Sequence, residues 1–235
     1  MDQELLNHMA IPLCKTGLER LSTFGYTCNR CLACCRFKKI QLNPYEIARL
    51  ARNRGLSTTD FIARHTTNGG TVLRFQEDGT CGFLDARGCS VHPDRPLVCR
   101  LYPLGRHVHF LGVEHFNQME CEPGCQGVFH DNGTVEQFLA EQGAGPFMHA
   151  ADVYLDLLRR LIETLTDEEV EPAQSETILA TVRTVSENQD GGHDLSWIDM
   201  DRAVADYCRQ TGVPVPEDME AKMALHIKAV RTWAA

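Results

Sequence analysis

Apolar residues recur at helical spacing through much of this chain, and the period shortens to that of strands in its middle. Leu5, Met9, Leu13, Leu18 and Leu21 make a loose stripe broken by Pro12 and Gly17, which predicts an N-terminal helix and linker over residues 1–25. A sharper signal runs from 43 to 55. Asn43 suits the N-cap, Pro44 the first helical position and Glu46 the third. Ile47, Leu50 and Ala51 then keep the helical period until Gly55 stops it. Ser57 with Asp60 opens a second, shorter helix that buries Phe61 and Ile62.

The period then changes. Thr71 to Phe75 reads as a strand, and Glu77-Asp78-Gly79-Thr80 as a tight turn with a return strand through Phe83 and Leu84. A second turn, Asp85-Ala86-Arg87-Gly88, follows at once, and residues 106–116 read as strand again. Thr134 caps a helix with Gln137 as its box partner, running to Gln142. From Pro146 onward the pattern is helical. Val153, Leu157, Leu158 and Leu161 share one face of a helix over 148–165, and an acidic linker spans 166–172. Further helices are expected at about 175–187, before the Gly191-Gly192 break, and at about 199–211 and 216–233, separated by Pro214 and Pro216. Trp197, Met219 and Trp233 read as core or partner-facing residues. The expected fold is α+β and mostly helical, with a small antiparallel β element beside a cysteine-ligated metal site and a helical C-terminal half. Three regions follow: 1–25, a cysteine-rich 26–145, and 146–235.

Composition narrows the function. The chain has 235 residues, of which 43% are hydrophobic, so a core forms without help. A net charge of −9 argues against a general nucleic-acid binder, which needs a basic face. The acidic N-terminus does not read as a secretory signal, and no stretch approaches the roughly 20 apolar residues of a membrane span. A cytoplasmic protein is expected. In that compartment thiols stay reduced, so eleven cysteines point to metal rather than to disulfides, and the odd number points the same way.

Their placement makes the point stronger. Cys28, Cys31, Cys34 and Cys35 fall within one short run, and the two-residue gaps let a turn aim successive sulfurs at one point, the ligand spacing of zinc and iron–sulfur sites. Cys81, Cys89, Cys99, Cys121 and Cys125 supply the distant half. Cys81 and Cys89 sit at the edges of turns, where free N–H groups can reach sulfur. Pro93, Pro96 and Pro103 stiffen the run that holds Cys99 at a fixed offset from Cys89. Arg95 and Arg100 flank that thiol, and one of them is expected to hydrogen-bond a cofactor sulfur or pin a loop carbonyl. Arg30, Arg36, Lys38 and Lys39 bring positive charge to the first cysteine run, which offsets thiolate charge or forms a solvated basic loop. His92 is the candidate histidine ligand, whereas His107, His109 and His115 read as polar surface or as an outer ring. Cys14, away from the others, reads as a buried small hydrophobe.

In order along the chain these blocks are Cys-x2-Cys-x2-Cys-Cys, Cys81-Gly-Phe-Leu-Asp, Cys89-x-Val-His-x2-Arg-Pro-x2-Cys99-Arg-x-Tyr-Pro and Cys125-x-Gly. Over residues 26–142 or so, that order resembles the bacterial and archaeal cysteine-cluster proteins of CxxCxxCC type, described as zinc- or iron-chelating domains. Flagellin lysine N-methylase proteins carry the same domain. The resemblance implies eight ligand-type positions: Cys28, Cys31, Cys34, Cys35, Cys81, Cys89, Cys99 and one late cysteine. Cys125, followed by Gln-Gly, fits that last place better, and Cys121 is an extra thiol.

Eight thiols fill two four-thiolate sites, or one site with spare redox thiols. Cys28, Cys31 and Cys34 copy the three-ligand spacing of bacterial ferredoxins, in which a remote cysteine completes a 4Fe–4S cluster. Zinc fits the same pairs. The expected function is therefore redox or electron transfer on one or two 4Fe–4S clusters, with a partner docked on the helical half. The alternatives are a zinc-stapled interaction domain and a lysine N-methylase-like enzyme. Against the enzyme, the chain has neither a glycine-rich nucleotide loop nor the Cys-x3-Cys-x2-Cys triplet of radical S-adenosylmethionine chemistry.

Overall fold

A computed structural model describes residues 13–109, 112–166 and 196–233 of the chain. Its centre is helix α1, Pro44–Arg54. Asn43 and Glu46 close a full capping box, and Gly55 ends the helix in the left-handed conformation at φ 66°. Pro44 through Ala48, Leu50 and Ala51 are all buried, so the helix is covered on nearly every side. Helix α2, Thr58–His65, starts on the Ser57 cap. Both helices begin where local chemistry predicts them.

The described residues form a mixed α+β fold, with more strand than the expected mostly helical arrangement, all of it in small antiparallel sheets. Strands β1 (Leu13–Leu18), β7 (Leu104–Val108) and β8 (Glu114–Met119) form a three-stranded sheet in the order β1-β8-β7. Strand β2 (Thr23–Thr27) pairs with β9 (Val128–Thr134). Two two-residue ladders complete the set, β3 (Thr66–Thr67) with β4 (Val72–Leu73) and β5 (Leu84–Asp85) with β6 (Gly88–Cys89). The helix expected over 1–25 is overturned from Leu13 onward. Leu13, Lys15 and Leu18 pair with Met119, Gln118 and Phe116 of β8, and that long-range ladder outweighs a weak helical stripe. Cys14 is exposed on this strand rather than buried.

Helix α3 (Leu97–Leu101) carries Cys99; α4 (Val135–Glu141) starts on the Thr134–Gln137 capping box. Helices α5 (Gly145–Thr166), α6 (Met200–Thr211) and α7 (Met219–Trp233) form the C-terminal part. The helix expected at 175–187, the acidic linker past Thr166 and the Gly191-Gly192 break lie outside the described residues.

Three apolar clusters hold the elements together. In the first, Tyr45 and Ala48 of α1 meet Phe147 and Tyr154 of α5, Met200 and Val204 of α6, and Met223 and Ile227 of α7. The C-terminal helices thus share a core with a helix of the cysteine-rich segment. The second joins Phe24 and Tyr26 of β2 to Leu101, Phe116 and Phe138, with Cys121 and Cys125 against it. The third joins Ile47 and Leu50 of α1 to Phe61, Leu73, Phe83 and Ile198, with Cys81 and Cys89 against it. Polar ties reinforce the junction of α2 and α6: Asp199 accepts from Thr58 Oγ1 and Thr59 Oγ1 at 2.5 Å each, and Asp201 accepts from the Thr58 N–H at 2.8 Å.

His226 of α7 is fully buried. Its Nδ1 lies 2.8 Å from the Tyr154 hydroxyl, while its Nε2 and the Trp197 indole N–H have no hydrogen-bond partner among the described residues. Burial pushes the imidazole down to about 4, with Lys222 acting in the same direction and the Trp197 backbone and Asp199 opposing. The folded chain therefore binds fewer protons here than the unfolded one. The resulting stability is present above the ordinary histidine value of 6.5 and is lost as pH falls from there toward 4. We expect the unfolding free energy of the wild type relative to His226→Gln to shrink by about 2–3 kcal/mol between pH 7 and pH 4.5. Denaturant titrations of both proteins at the two pH values measure this. A pH-independent difference would mean that His226 titrates as in water.

Candidate metal centre

The Cys28–Cys35 run leaves β2 and coils tightly. Arg30 and Leu32 take positive φ, at 53° and 65°, and Phe37 follows at 52°. Left-handed backbone is unfavourable for non-glycine residues by about 1 kcal/mol each. Three such residues within eight positions mark a loop held in shape by its surroundings. A 3₁₀ turn, Ala33–Cys35, ends it. The chain then lies antiparallel along the 76–80 turn: the Cys81 N–H donates to the Cys35 carbonyl at 3.0 Å, and the Phe37 N–H to that of Gly79 at 2.8 Å. Gly79, at φ 77°, has no room for a Cβ because the Phe37 ring covers it. This contact sets Cys34 and Cys35 beside Cys81. The β5–β6 hairpin then brings Cys89 opposite Leu84, next to Cys81.

One group of thiols results. Cys34, Cys81 and Cys89 interact electrostatically with one another, and Cys99 on α3 interacts with all three. Cys99 is exposed on α3, though the protein around its thiol desolvates it. Desolvation, and then the neighbouring thiols, push Cys81 and Cys99 above the ordinary thiol range. At Cys34 the hydrogen bond to Cys35 is the larger cause. Cys28 neighbours the Arg95 guanidinium. A second group lies at the Cys121–Cys125 turn, where Cys31 Sγ is 3.9 Å from Cys125 Sγ. Cys121 interacts with Cys125, and Cys31 with Cys34 links the groups.

One local arrangement recurs in both. The backbone N–H two residues on is aimed at the sulfur of Cys81 (from Phe83), of Cys89 (from Val91) and of Cys125 (from Gly127, at 3.4 Å). Such N–H groups favour the thiolate over the thiol, which is the form a metal takes.

The flanking charges are structural as well as electrostatic. Arg100 is buried and donates to the carbonyls of Pro93, Arg95 and Gln142 at 2.5, 3.0 and 2.8 Å. Its guanidinium lies 3.9 Å over the Phe147 ring. Arg95 donates to the His92 carbonyl and to Gln142 Oε1, at 2.7 Å each, and neighbours Cys99, Cys89 and Cys28. His92 sits against Arg95, 3.3 Å from Nδ1 to Nη1, and burial with this cation pushes its pKa down. His107 and His115 pair across β7 and β8 with rings stacked at 5.0 Å.

Three residues had no assigned role at the site from sequence. Tyr26 Oη is 3.2 Å from Cys125 Sγ and 4.0 Å from Cys121 Sγ. Tyr102 Oη accepts the Glu122 N–H at 2.8 Å. Glu46 not only caps α1 but accepts the Leu97 N–H at 2.7 Å, so it ties α1 to the helix that carries Cys99; burial pushes its carboxyl up to about 7. Tyr102 stands in the Cys99-Arg-x-Tyr-Pro block, the one signal that could have marked it.

Among the described residues no three Cys, His, Asp or Glu side chains are closed tightly enough to hold an ion as they stand. The donor chemistry nonetheless fits zinc or iron: sulfurs grouped from separate segments, with N–H donors aimed at them. Among the described residues no helix is long and apolar enough to cross a membrane. Neither the curated proteins nor the solved structures compared with this chain gave a match. Residues 27–126 do match the family model CxxCxxCC, described as "Putative zinc- or iron-chelating domain".

Proposed function

We propose that the cysteine-rich segment is a metal-binding module that carries a 4Fe–4S cluster on Cys34, Cys81, Cys89 and Cys99 and serves electron transfer. The observation that carries the reading is the gathering of these four thiols from three separated stretches of chain into one electrostatic neighbourhood. Their unmetallated thiols repel as they ionise, and a bound cation centre reverses that sign. Arg95, beside Cys99, Cys89 and Cys28, offsets the negative charge of a thiolate-ligated cluster. When bound, the cluster would supply one-electron chemistry; the chain's part is to hold the sulfurs, aim N–H groups at them and limit water.

Zinc has its own supporting observation. Four sulfurs at about 2.3 Å from one ion lie about 3.8 Å apart, and Cys31 and Cys125 are 3.9 Å apart. Anaerobic purification with metal analysis and electron paramagnetic resonance separates the two. The expected result is iron with matching sulfide and a visible absorption that bleaches on reduction. Colourless protein with stoichiometric zinc would overturn the redox reading, and turnover with S-adenosylmethionine and a lysine peptide would replace it with the enzyme.

A further inference from the structure

We infer that Cys31, Cys121 and Cys125 form a second centre, taking a single thiophilic divalent ion of the zinc class, whose sulfurs Tyr26 and Tyr102 hold by O–H···S hydrogen bonds. This rests on the reading of the segment as metal-binding and adds a site with its own ligands and its own positioning residues.

Four observations carry it. The 3.9 Å between Cys31 and Cys125 is one edge of a thiolate tetrahedron around one ion. Each late sulfur is an acceptor. Cys125 receives the Gly127 N–H at 3.4 Å and faces the Tyr26 hydroxyl at 3.2 Å. The Tyr102 oxygen already takes the Glu122 N–H at 2.8 Å, so its own proton is directed outward, to Cys121. Donors of this kind orient ligands and raise metal affinity. The close approach of Tyr26 is built in, because its ring occupies the space a Cβ at position 127 would need, and that residue is glycine. Finally, the two strips of chain are tied together beside the sulfurs. Asn29 Nδ2 donates to the Gln126 carbonyl at 2.7 Å, and Lys38 pairs with Glu122.

The apolar cluster behind Cys121 and Cys125 keeps one side dry. The three sulfurs are not yet closed on a point, so binding would have to draw Cys121 toward the other two. A fourth thiol from the Cys28–Cys35 loop or a water then fills the remaining position.

The test uses full-length protein produced with cobalt(II), whose thiolate complexes are coloured, and follows ion release against a competing chelator. Cys125→Ser should lose the cobalt and keep the iron, and Cys99→Ser should lose the iron and keep the cobalt, so that the double variant loses both. Tyr26→Phe keeps the ring and loses only the hydroxyl. It should leave the stoichiometry intact and weaken the Cys125 site about 10- to 100-fold. The inference is overturned if Tyr26→Phe changes release by less than about twofold. It is also overturned if Cys125→Ser keeps the cobalt or Cys99→Ser loses it, outcomes that leave the metal-binding module standing. Failure of the wild type to hold cobalt would sink the second centre alone; failure to hold cobalt and iron alike would sink both.

Discussion

Cys99→Ser should strip the metal from the Cys34–Cys81–Cys89–Cys99 group and leave a chain that unfolds far more readily. The size of the effect comes from the coupling of binding to folding: a structural thiolate site contributes on the order of 10 kcal/mol of apparent folding free energy, all of it dependent on deprotonated ligands. Serine is nearly isosteric with cysteine, and Cys99 is exposed at the surface of α3. Packing loss therefore contributes little, and most of the change is metal. Metal-to-protein ratio and near-ultraviolet circular dichroism measure the two halves of the prediction. Cys14→Ser, on the exposed strand β1, is the control and should change neither. Full metal content in the Cys99 variant would remove that residue from the ligand set.

Arg100→Met should destabilise the chain by about 3–5 kcal/mol even without metal. The guanidinium is buried and serves three carbonyls, those of Pro93, Arg95 and Gln142. Methionine replaces its volume but leaves these acceptors dry, at about 1–3 kcal/mol apiece for a buried unpaired group. The contact with Phe147 at 3.9 Å is lost as a cation–π pair and kept as packing. Lysine cannot span three acceptors with one ammonium, so Arg100→Lys should recover less than half of the loss. Urea unfolding gives the numbers. A change below about 1 kcal/mol would show that the loop between Pro93 and Pro96 is held by its prolines alone.

The elements that were legible from sequence are the ones whose cause is local. Asn43 with Glu46, Ser57 with Asp60 and Thr134 with Gln137 each satisfy helix N–H groups within four residues, and each helix starts there. The turns at Asp78-Gly79 and Arg87-Gly88 were legible for the same reason: Gly79 and Gly88 take φ of 77° and 110° without a steric penalty. Strands β1 and β2 were not legible. Their partners, β8 and β9, lie roughly a hundred residues away, and no local pattern names a partner at that distance. Tyr26, 99 residues from Cys125, and Tyr102, 20 from Glu122, were hidden as well. Each lies in or near a cysteine block, but their hydroxyls meet the late thiols only because β2, α3 and the Cys121–Cys125 turn back onto one apolar cluster.

By itself, then, the sequence determined the kind of chemistry: thiols spaced two residues apart at turn edges, beside arginines, in the order of a zinc- or iron-chelating domain. The tertiary structure alone brought Cys34, Cys81, Cys89 and Cys99 near one another and set Cys31 Sγ 3.9 Å from Cys125 Sγ, with Cys31 and Cys34 joining the two neighbourhoods. The physical reason is that spacing along a chain fixes which sulfurs a single turn can aim, whereas the meeting of sulfurs from different turns is set by the apolar surfaces behind them. Cys81 and Cys89 are backed by the cluster built on α1 and α2, and Cys121 and Cys125 by the one built on β2 and α4.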